Sequence, residues 1–189
     1  MTALIRFAPL LALAVVLPVG AADPAKTEPP KTLMVAPGKL LMSDDLNAPL
    51  GQDWKTAKGK WDVIDGTIRK GHVCRVLVRP TGLTVQKDAH DKDTEKPMQL
   101  DTAAVAIKPG KWHTLVVELR GPDILATLDG KHTVFGSHPG IDLAKTDLGL
   151  TVAGEFVSFK GLRVWESAGP QKDWDATKTK LLEAKKAKP

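Results

Sequence analysis

The sequence contains little cysteine, no tyrosine and no long apolar run in its body, and each absence excludes a class of protein. Cys74 is the single cysteine among 189 residues, so no disulfide can form within the chain and packing has to stabilise the fold. After residue 22 no apolar run approaches the roughly 20 residues that a membrane-spanning helix needs. We therefore predict no membrane span in the mature chain.

The formal net charge is +5, but the excess of basic residues lies in the tails. Residues 44–166 hold 17 Lys and Arg residues and 17 Asp and Glu residues, so this part of the chain is neutral overall. Proteins that read nucleic acid concentrate basic residues on the folded surface, often beside aromatic residues that stack on bases, and tyrosine is absent here. We therefore do not expect nucleic acid as a partner.

The first 38 residues have the pattern of an export signal followed by a spacer. In residues 1–22 a basic residue precedes the apolar run FAPLLALAVVLPV and the small residues GAA follow it, which is typical of a secretory signal peptide. Residues 23–38 contain four prolines and few apolar residues, which predicts an extended linker. No cysteine follows the expected cleavage region to carry a lipid, so we predict a secreted or periplasmic protein.

Residues 39–166 have the pattern of one all-β domain. Short apolar runs alternate with polar residues, and Gly, Pro or Asp interrupts them at short intervals. Asp65-Gly66 and Asp129-Gly130 tolerate the positive φ angles of type I′ turns, so we predict two tight hairpins there. The predicted strands are 39–44, 61–65, 66–70, 72–79, 83–87, 103–108, 112–120, 124–129, 131–136, 148–154, 155–160 and 162–166.

The last segment, residues 167–189, begins with the breaker SAGPQ and continues as a basic helix or tail. One helical stripe contains Trp174, Lys178, Leu181 and Leu182, and Asp173 precedes them at the position of an N-cap. We expect a docked helix whose lysines lie in solvent or face an anionic surface.

Several short segments of the sequence resemble segments of one bacterial protein family. They are LLMSDDL (40–46), WDVIDG (61–66), KPGKWHTLVVELRG (108–121), ATLDGK (126–131) and FKGLRVWE (159–166). Their order resembles that of the exported 3-keto-disaccharide hydrolase domains, formerly a domain of unknown function. The resemblance implies a concanavalin-like, laminin-G-like jelly-roll sandwich of two antiparallel sheets over residues 39–166. Such relatives have about two further strands after the first Asp-Gly hairpin, so the sandwich expected here is shortened and leaves a bare edge.

Strand alternation divides the predicted meander into an apolar and a polar face. The predicted core residues are Leu115, Val117, Leu119, Ile124, Ala126, Leu128, Cys74, Val76, Val78, Leu148, Leu150 and Val152, which makes Cys74 an inert thiol. The opposite faces carry Arg75, Arg79, Thr84, Gln86, Thr114, Glu118, Arg120, Thr127 and Thr151. If these strands share one curved sheet, the polar faces form a wall suited to a carbohydrate. The alternative is an ordinary solvated face.

Glycoside hydrolysis usually employs two carboxyl groups in one site, and residues i and i+2 of a strand lie about 7 Å apart on one face. No predicted strand contains such an acidic pair, and Glu118 stands alone on its face, which argues against ordinary retaining hydrolysis. A 3-keto sugar is activated beside its carbonyl, so one base with a cationic partner suffices for proton abstraction and elimination. We therefore name Glu118 and Arg75 as candidate catalytic residues, with a histidine as an alternative base.

Candidate ligand contacts lie on the polar face and at the rim of the sandwich: Gln86, Arg79, Thr127, His113, His132 and His138. The spacing of the histidines matches no zinc motif. Asp91, Asp93 and Glu95 alternate as in a calcium loop, but lysines interrupt them and the glycine that tightens an EF-hand loop is missing. We therefore expect no cofactor, with calcium as an alternative to a solvated loop.

These observations leave two functions open. The first is an exported carbohydrate-acting enzyme, a hydrolase or lyase of the 3-keto-disaccharide type, which the resemblance favours. The second is a non-catalytic jelly-roll module that binds glycans or a partner protein. The missing carboxylate pair and the short sheet favour the second.

Overall fold

The computed structural model describes residues 28–46, 63–64, 67–68, 73–89, 95–145, 148–151 and 157–187. These residues form antiparallel strands and, at the C-terminal end, one α-helix. The strands are β1 (Val35–Asp44), β2 (Val63–Ile64), β3 (Thr67–Ile68), β4 (Cys74–Arg79), β5 (Gly82–Lys87), β6 (Met98–Ala104), β7 (Leu115–Arg120), β8 (Asp123–Leu128), β9 (His132–Ser137) and β10 (Leu162–Pro170). The helix is α1 (Trp174–Lys186), and a short 3-10 helix covers Pro139–Ile141.

Two three-stranded sheets, β4-β5-β6 and β7-β8-β9, form the centre of the fold. The predicted turn after β8 is confirmed, because Asp129 and Gly130 have φ angles of 52° and 67° and the Lys131 N–H donates to the Leu128 carbonyl at 3.1 Å. A second predicted reversal joins β7 to β8 through Gly121, whose φ angle is 52°. The chain therefore folds between neighbours in sequence, as the turn residues predict.

The first core lies between these two sheets. Leu83 and Val85 of β5 pack with residues of β8 and β9, and all of them are at most 1% exposed. The buried members are Leu83, Val85, Leu100, Val105, Ile124, Ala126, Leu128, Val134 and Ile141. Alternation predicted this role for Ile124, Ala126 and Leu128, and the prediction is confirmed.

A second core lies on the other face of β8 and β9, so the described residues form three layers. Leu125 and Phe135 pack there against Met34, Val35 and Trp174, which belong to the N-terminal segment and to α1. The rings of Phe135 and Trp174 meet edge to face with centroids 5.6 Å apart. Burial of each such side chain contributes about 1.5–3 kcal/mol, so the predicted docking of the helix has a large apolar component.

The N-terminal boundary differs from the prediction. The segment expected to be a linker up to residue 38 already contains the start of β1 and the fully buried side chain of Met34. Strand β1 pairs antiparallel with β10 and forms a two-stranded ribbon. At the other end Asp173 holds the N-cap position of α1, but its side chain makes no capping hydrogen bond.

The face assignment from alternation is wrong in several places. Leu115 and Val117, predicted as core, are 40% and 43% exposed, because the facing sheet packs on β8 and β9 rather than on β7. Val78, also predicted as core, is 45% exposed. Thr84, Glu118 and Thr127, predicted to face a ligand, are buried at 4%, 3% and 7% exposure.

The chain near residue 150 also differs from the prediction. Residues 148–151 and 157–160 are not in strands, and Leu148 and Leu150 are exposed rather than core. Val152 lies outside the described residues. Strand β6 begins at Met98, earlier than the predicted start at residue 103.

Candidate functional site

The Glu118 carboxylate binds the backbone of the N-terminal segment. Its Oε2 accepts the N–H groups of Met34 at 2.7 Å and Val35 at 2.9 Å, and Oε1 accepts that of Leu33 at 3.0 Å. Three consecutive N–H groups that converge on one carboxylate make a site for an anion inside the protein. These hydrogen bonds use the lone pairs that a general base would need for a substrate.

The position of Glu118 follows from the register of its sheet. Glu118 is directly opposite Leu125, and Leu125 is opposite Phe135, so these three side chains share the face that the N-terminal segment and α1 cover. A buried carboxylate needs partners, and the segment before β1 supplies them from its backbone. Glu118 is thus the polar anchor of the third layer.

Arg75, the expected partner of Glu118, lies in the other sheet. Its Nε donates to Asp88 Oδ2 at 2.8 Å, and Gln86 Nε2 donates to Asp88 Oδ1 at 2.8 Å. Asp88 is 3% exposed, so the two donors satisfy a buried carboxylate. The structure therefore brings Arg75 and Gln86 together around Asp88, and it does not bring them to Glu118.

The remaining polar-face candidates do not form a continuous wall. Arg79 is exposed at the end of β4, whereas Thr127 is buried in β8 with its hydroxyl 3.5 Å from that of Thr133. Two separate sheets carry these residues, so the single curved sheet on which the predicted carbohydrate wall depends is absent from the described part of the chain.

His113 forms a dyad with Asp129 at the hairpin tip. The His113 Nδ1–H donates to Asp129 Oδ2 at 2.7 Å, and the Thr114 N–H donates to Oδ1 at 2.8 Å. A carboxylate can only accept, so in the neutral ring the lone pair is on Nε2. That nitrogen is buried and has no hydrogen-bond partner in the described residues. The sequence predicted the histidine and the turn separately, but not that the turn aspartate orients the ring.

The other two candidate histidines, His132 and His138, have different surroundings. His132 is exposed at the start of β9, near enough to Asp129 to lower the pKa of that carboxyl slightly. His138 caps the short 3-10 helix, because its Nδ1 accepts the Gly140 N–H at 2.9 Å. The three histidines therefore do not converge on one point, and only His113 has a basic nitrogen oriented by a carboxylate.

The dyad makes an acid-dependent contribution to stability. Hydrogen bonds from His113 and the Thr114 N–H lower the pKa of Asp129 below its ordinary value of 3.8. A lowered pKa in the folded state stabilises the fold fully above pH 3.8, and this stabilisation is lost as the pH falls through the folded pKa. Asparagine tolerates the same positive φ. We therefore expect the free energy of unfolding of Asp129→Asn, measured with urea, to fall less steeply than that of wild type as the pH is lowered. Equal acid slopes for the two proteins would contradict this account.

Cys74 and the acidic loop offer little reactive chemistry. Burial raises the pKa of the Cys74 thiol, which packs against the first core, so at neutral pH the thiol is protonated. Asp91 and Asp93 lie outside the described residues. Glu95 forms an ion pair with Lys87 at 2.5 Å. Among the described residues no three His, Cys, Asp or Glu side chains are placed to hold a metal ion.

Comparisons with protein-family models, with curated proteins and with solved structures returned no match for the chain. No helix in the described part of the chain is long and apolar enough to cross a membrane.

Proposed function

We propose that this chain is an exported, non-catalytic module that acts by binding a β-strand of a partner protein. We further infer that its sheets belong to a shortened concanavalin-like jelly roll, as the resemblance of residues 39–166 implies. The observation that carries the proposal is the environment of Glu118. Glu118 is the only acidic residue of strand β7. Its carboxylate accepts hydrogen bonds from three backbone N–H groups, and the residue is 3% exposed.

The surroundings of Arg75 support the same conclusion. A single-base elimination needs a base and a cation on one substrate, and these two candidates lie in different sheets. Arg75 is also the ion-pair partner of a buried carboxylate, Asp88, at 2.8 Å. Removal of Arg75 would leave the buried Asp88 carboxylate without its cation. This role in the fold is sufficient to explain why an arginine occupies the position.

The exposed edge of β7 supports binding. Leu115 and Val117 project apolar side chains that are 40% and 43% exposed, beside the largely exposed Trp112. Extended segments add to such edges through backbone hydrogen bonds, with alternate side chains giving specificity. A protein strand fits this surface better than a glycan, because the polar face that a glycan requires is buried at Glu118 and Thr127.

Turnover decides between binding and catalysis. We expect the purified exported chain to release no product from 3-keto-glucosides or unoxidised disaccharides when the mixtures are followed by chromatography. Release of product at a rate proportional to protein concentration would contradict the proposal.

The His113–Asp129 dyad supports a second candidate function, single-base action on a keto sugar as the resemblance implies. The carboxylate orients the imidazole with its lone pair on Nε2, as in a base that abstracts a proton beside a carbonyl, and a substrate would reach Nε2 only after the residues that bury it move. If turnover is found, His113→Gln should abolish it and His132→Gln, the exposed neighbour, should retain it. Equal effects of the two substitutions would exclude the dyad as the base.

A further inference from the structure

The four outer strands of the two central sheets differ in how their edges are protected. Strand β4 carries two exposed arginines, Arg75 and Arg79, and charges of this kind discourage pairing with another chain. Strands β6 and β9 lie next to each other, and the Phe135 N–H of β9 donates to Asp101 of β6 at 2.9 Å. Strand β7 is less protected: within the described residues no strand pairs with its outer side, its one exposed arginine, Arg120, lies at its end, and its central charge, Glu118, is turned into the protein.

The register shows which backbone groups of β7 point outward. Arg120 and Asp123 flank a two-residue turn, and the pair next to such a turn is the closely hydrogen-bonded one. Hydrogen-bonded pairs alternate along an antiparallel ladder, so residues 116, 118 and 120 bond to β8. The N–H and C=O groups of Leu115, Val117 and Leu119 therefore point to the side on which β7 has no paired strand among the described residues.

This edge is complementary to itself. In an antiparallel pair of two β7 strands with Val117 opposite Val117, all the outward N–H and C=O groups meet partners, about six hydrogen bonds in total. Leu115 is then opposite Leu119 of the second copy, so the apolar face continues across the junction. Glu118 is opposite Val116, so no like charges are placed opposite each other.

Charge complementarity favours the same register. Arg120 is then opposite Thr114 of the second copy, whose backbone N–H donates to the Asp129 carboxylate at 2.8 Å. The exposed guanidinium can reach that carboxylate, which lies at the surface with its side chain 36% exposed. The two-fold axis repeats this pair, and it also places Trp112, 66% exposed, opposite Pro122.

We propose that the partner of the β7 edge is a second copy of this chain, joined by antiparallel β7 pairing centred on Val117. This inference rests on the proposed function, since it names the partner of the same edge. Six residues a side make a small interface, so we expect a dissociation constant on the order of 10–100 μM. The β7-β8-β9 sheets of the two copies would join into one six-stranded sheet across the two-fold axis.

Sedimentation velocity tests the proposal with a matched pair of variants. From about 5 to about 500 μM, wild type should change from monomer to dimer. Val117→Lys should stay monomeric throughout. Val78→Lys should dimerise as wild type does, because Val78 is similarly exposed, at 45%, but lies on β4, an edge strand of the other sheet. Arg120→Glu should weaken the dimer at least fivefold in low salt.

A cross-link gives a readout that does not depend on the folding of the lysine variant. In a Cys74→Ser background, mild oxidation should link Val117→Cys into a covalent dimer, because hydrogen-bonded pairs have Cα atoms about 5.5 Å apart. Val78→Cys should remain monomeric. A wild type that is monomeric at every concentration, or loss of the dimer in Val78→Lys, overturns the inference. These results are independent of the turnover assay: release of product from a sugar would overturn the proposed function, whereas loss of the dimer would overturn only this inference.

Discussion

Glu118→Gln should destabilise the protein by about 3 kcal/mol, one of the largest effects expected of a single change in this chain. The carboxylate accepts three backbone N–H groups in a buried site, and an amide replaces one of its two acceptor oxygens with a donor. At least one N–H then loses its partner and faces another donor. The second core is bound to the same segment through Met34, so its packing is weakened too. Urea unfolding at neutral pH measures the difference.

Glu166→Gln is the matched control for this change. Glu166 also lies on a strand, β10, but its side chain is exposed, so the same substitution should change the free energy of unfolding by less than about 0.5 kcal/mol. If Glu118→Gln were as stable as Glu166→Gln, the carboxylate would have no anchoring role.

Gly136→Ala should cost about 2 kcal/mol, because no space exists for its methyl group. A Cβ at this position of β9 would lie 2.5 Å from Leu100 Cβ and 2.7 Å from Leu100 Cδ1. The Leu100 Cβ is fixed to the backbone of β6, so rotation of the leucine side chain cannot remove the overlap. Strands β6 and β9 would have to move apart, and the first core between the sheets would loosen. Thermal and urea unfolding both report this loss.

Two controls separate this overlap from the general cost of replacing glycine. Gly130→Ala has nothing within 4 Å of the added Cβ, so its cost of about 1 kcal/mol comes from the positive φ of 67° alone. In a Leu100→Gly background, the further change Gly136→Ala should cost less than in wild type, because Cβ, Cγ and Cδ1 of Leu100 are all gone. An unchanged cost would show that Leu100 is not the obstacle.

The parts of the fold that depend on neighbours in sequence could be predicted from the sequence. The Asp129-Gly130 turn is confirmed because positive φ at two successive residues is a local property. The helix that begins at Trp174 was also predicted, because its apolar stripe is local. The predicted strands at 148–154 and 155–160 are wrong in their described parts, since alternation alone cannot supply a neighbouring strand to pair with.

The candidate site could not be predicted because its geometry depends on a third layer. Strand β8 is buried at all six residues, so its alternation gives no information about which side faces solvent. Strand alternation placed Glu118 on a solvent-facing side of its strand. The N–H groups that bind it come from Leu33, 85 residues earlier in the chain, and from Met34 and Val35. Nothing in the sequence near Glu118 signals that contact. The partner of His113 was missed because Asp129 was interpreted only as a turn residue.

The anchoring of the N-terminal segment by Glu118 is the basis for regarding the chain as a binding module, and amide hydrogen exchange tests it directly. We expect the Met34 and Val35 amides, bonded at 2.7 and 2.9 Å, to exchange as slowly as amides of the buried strand β8. In Glu118→Gln these amides should exchange faster while β8 remains protected. Exchange of both amides at the rate of an unstructured peptide in wild type would contradict the account, because it would leave the Glu118 carboxylate available for chemistry.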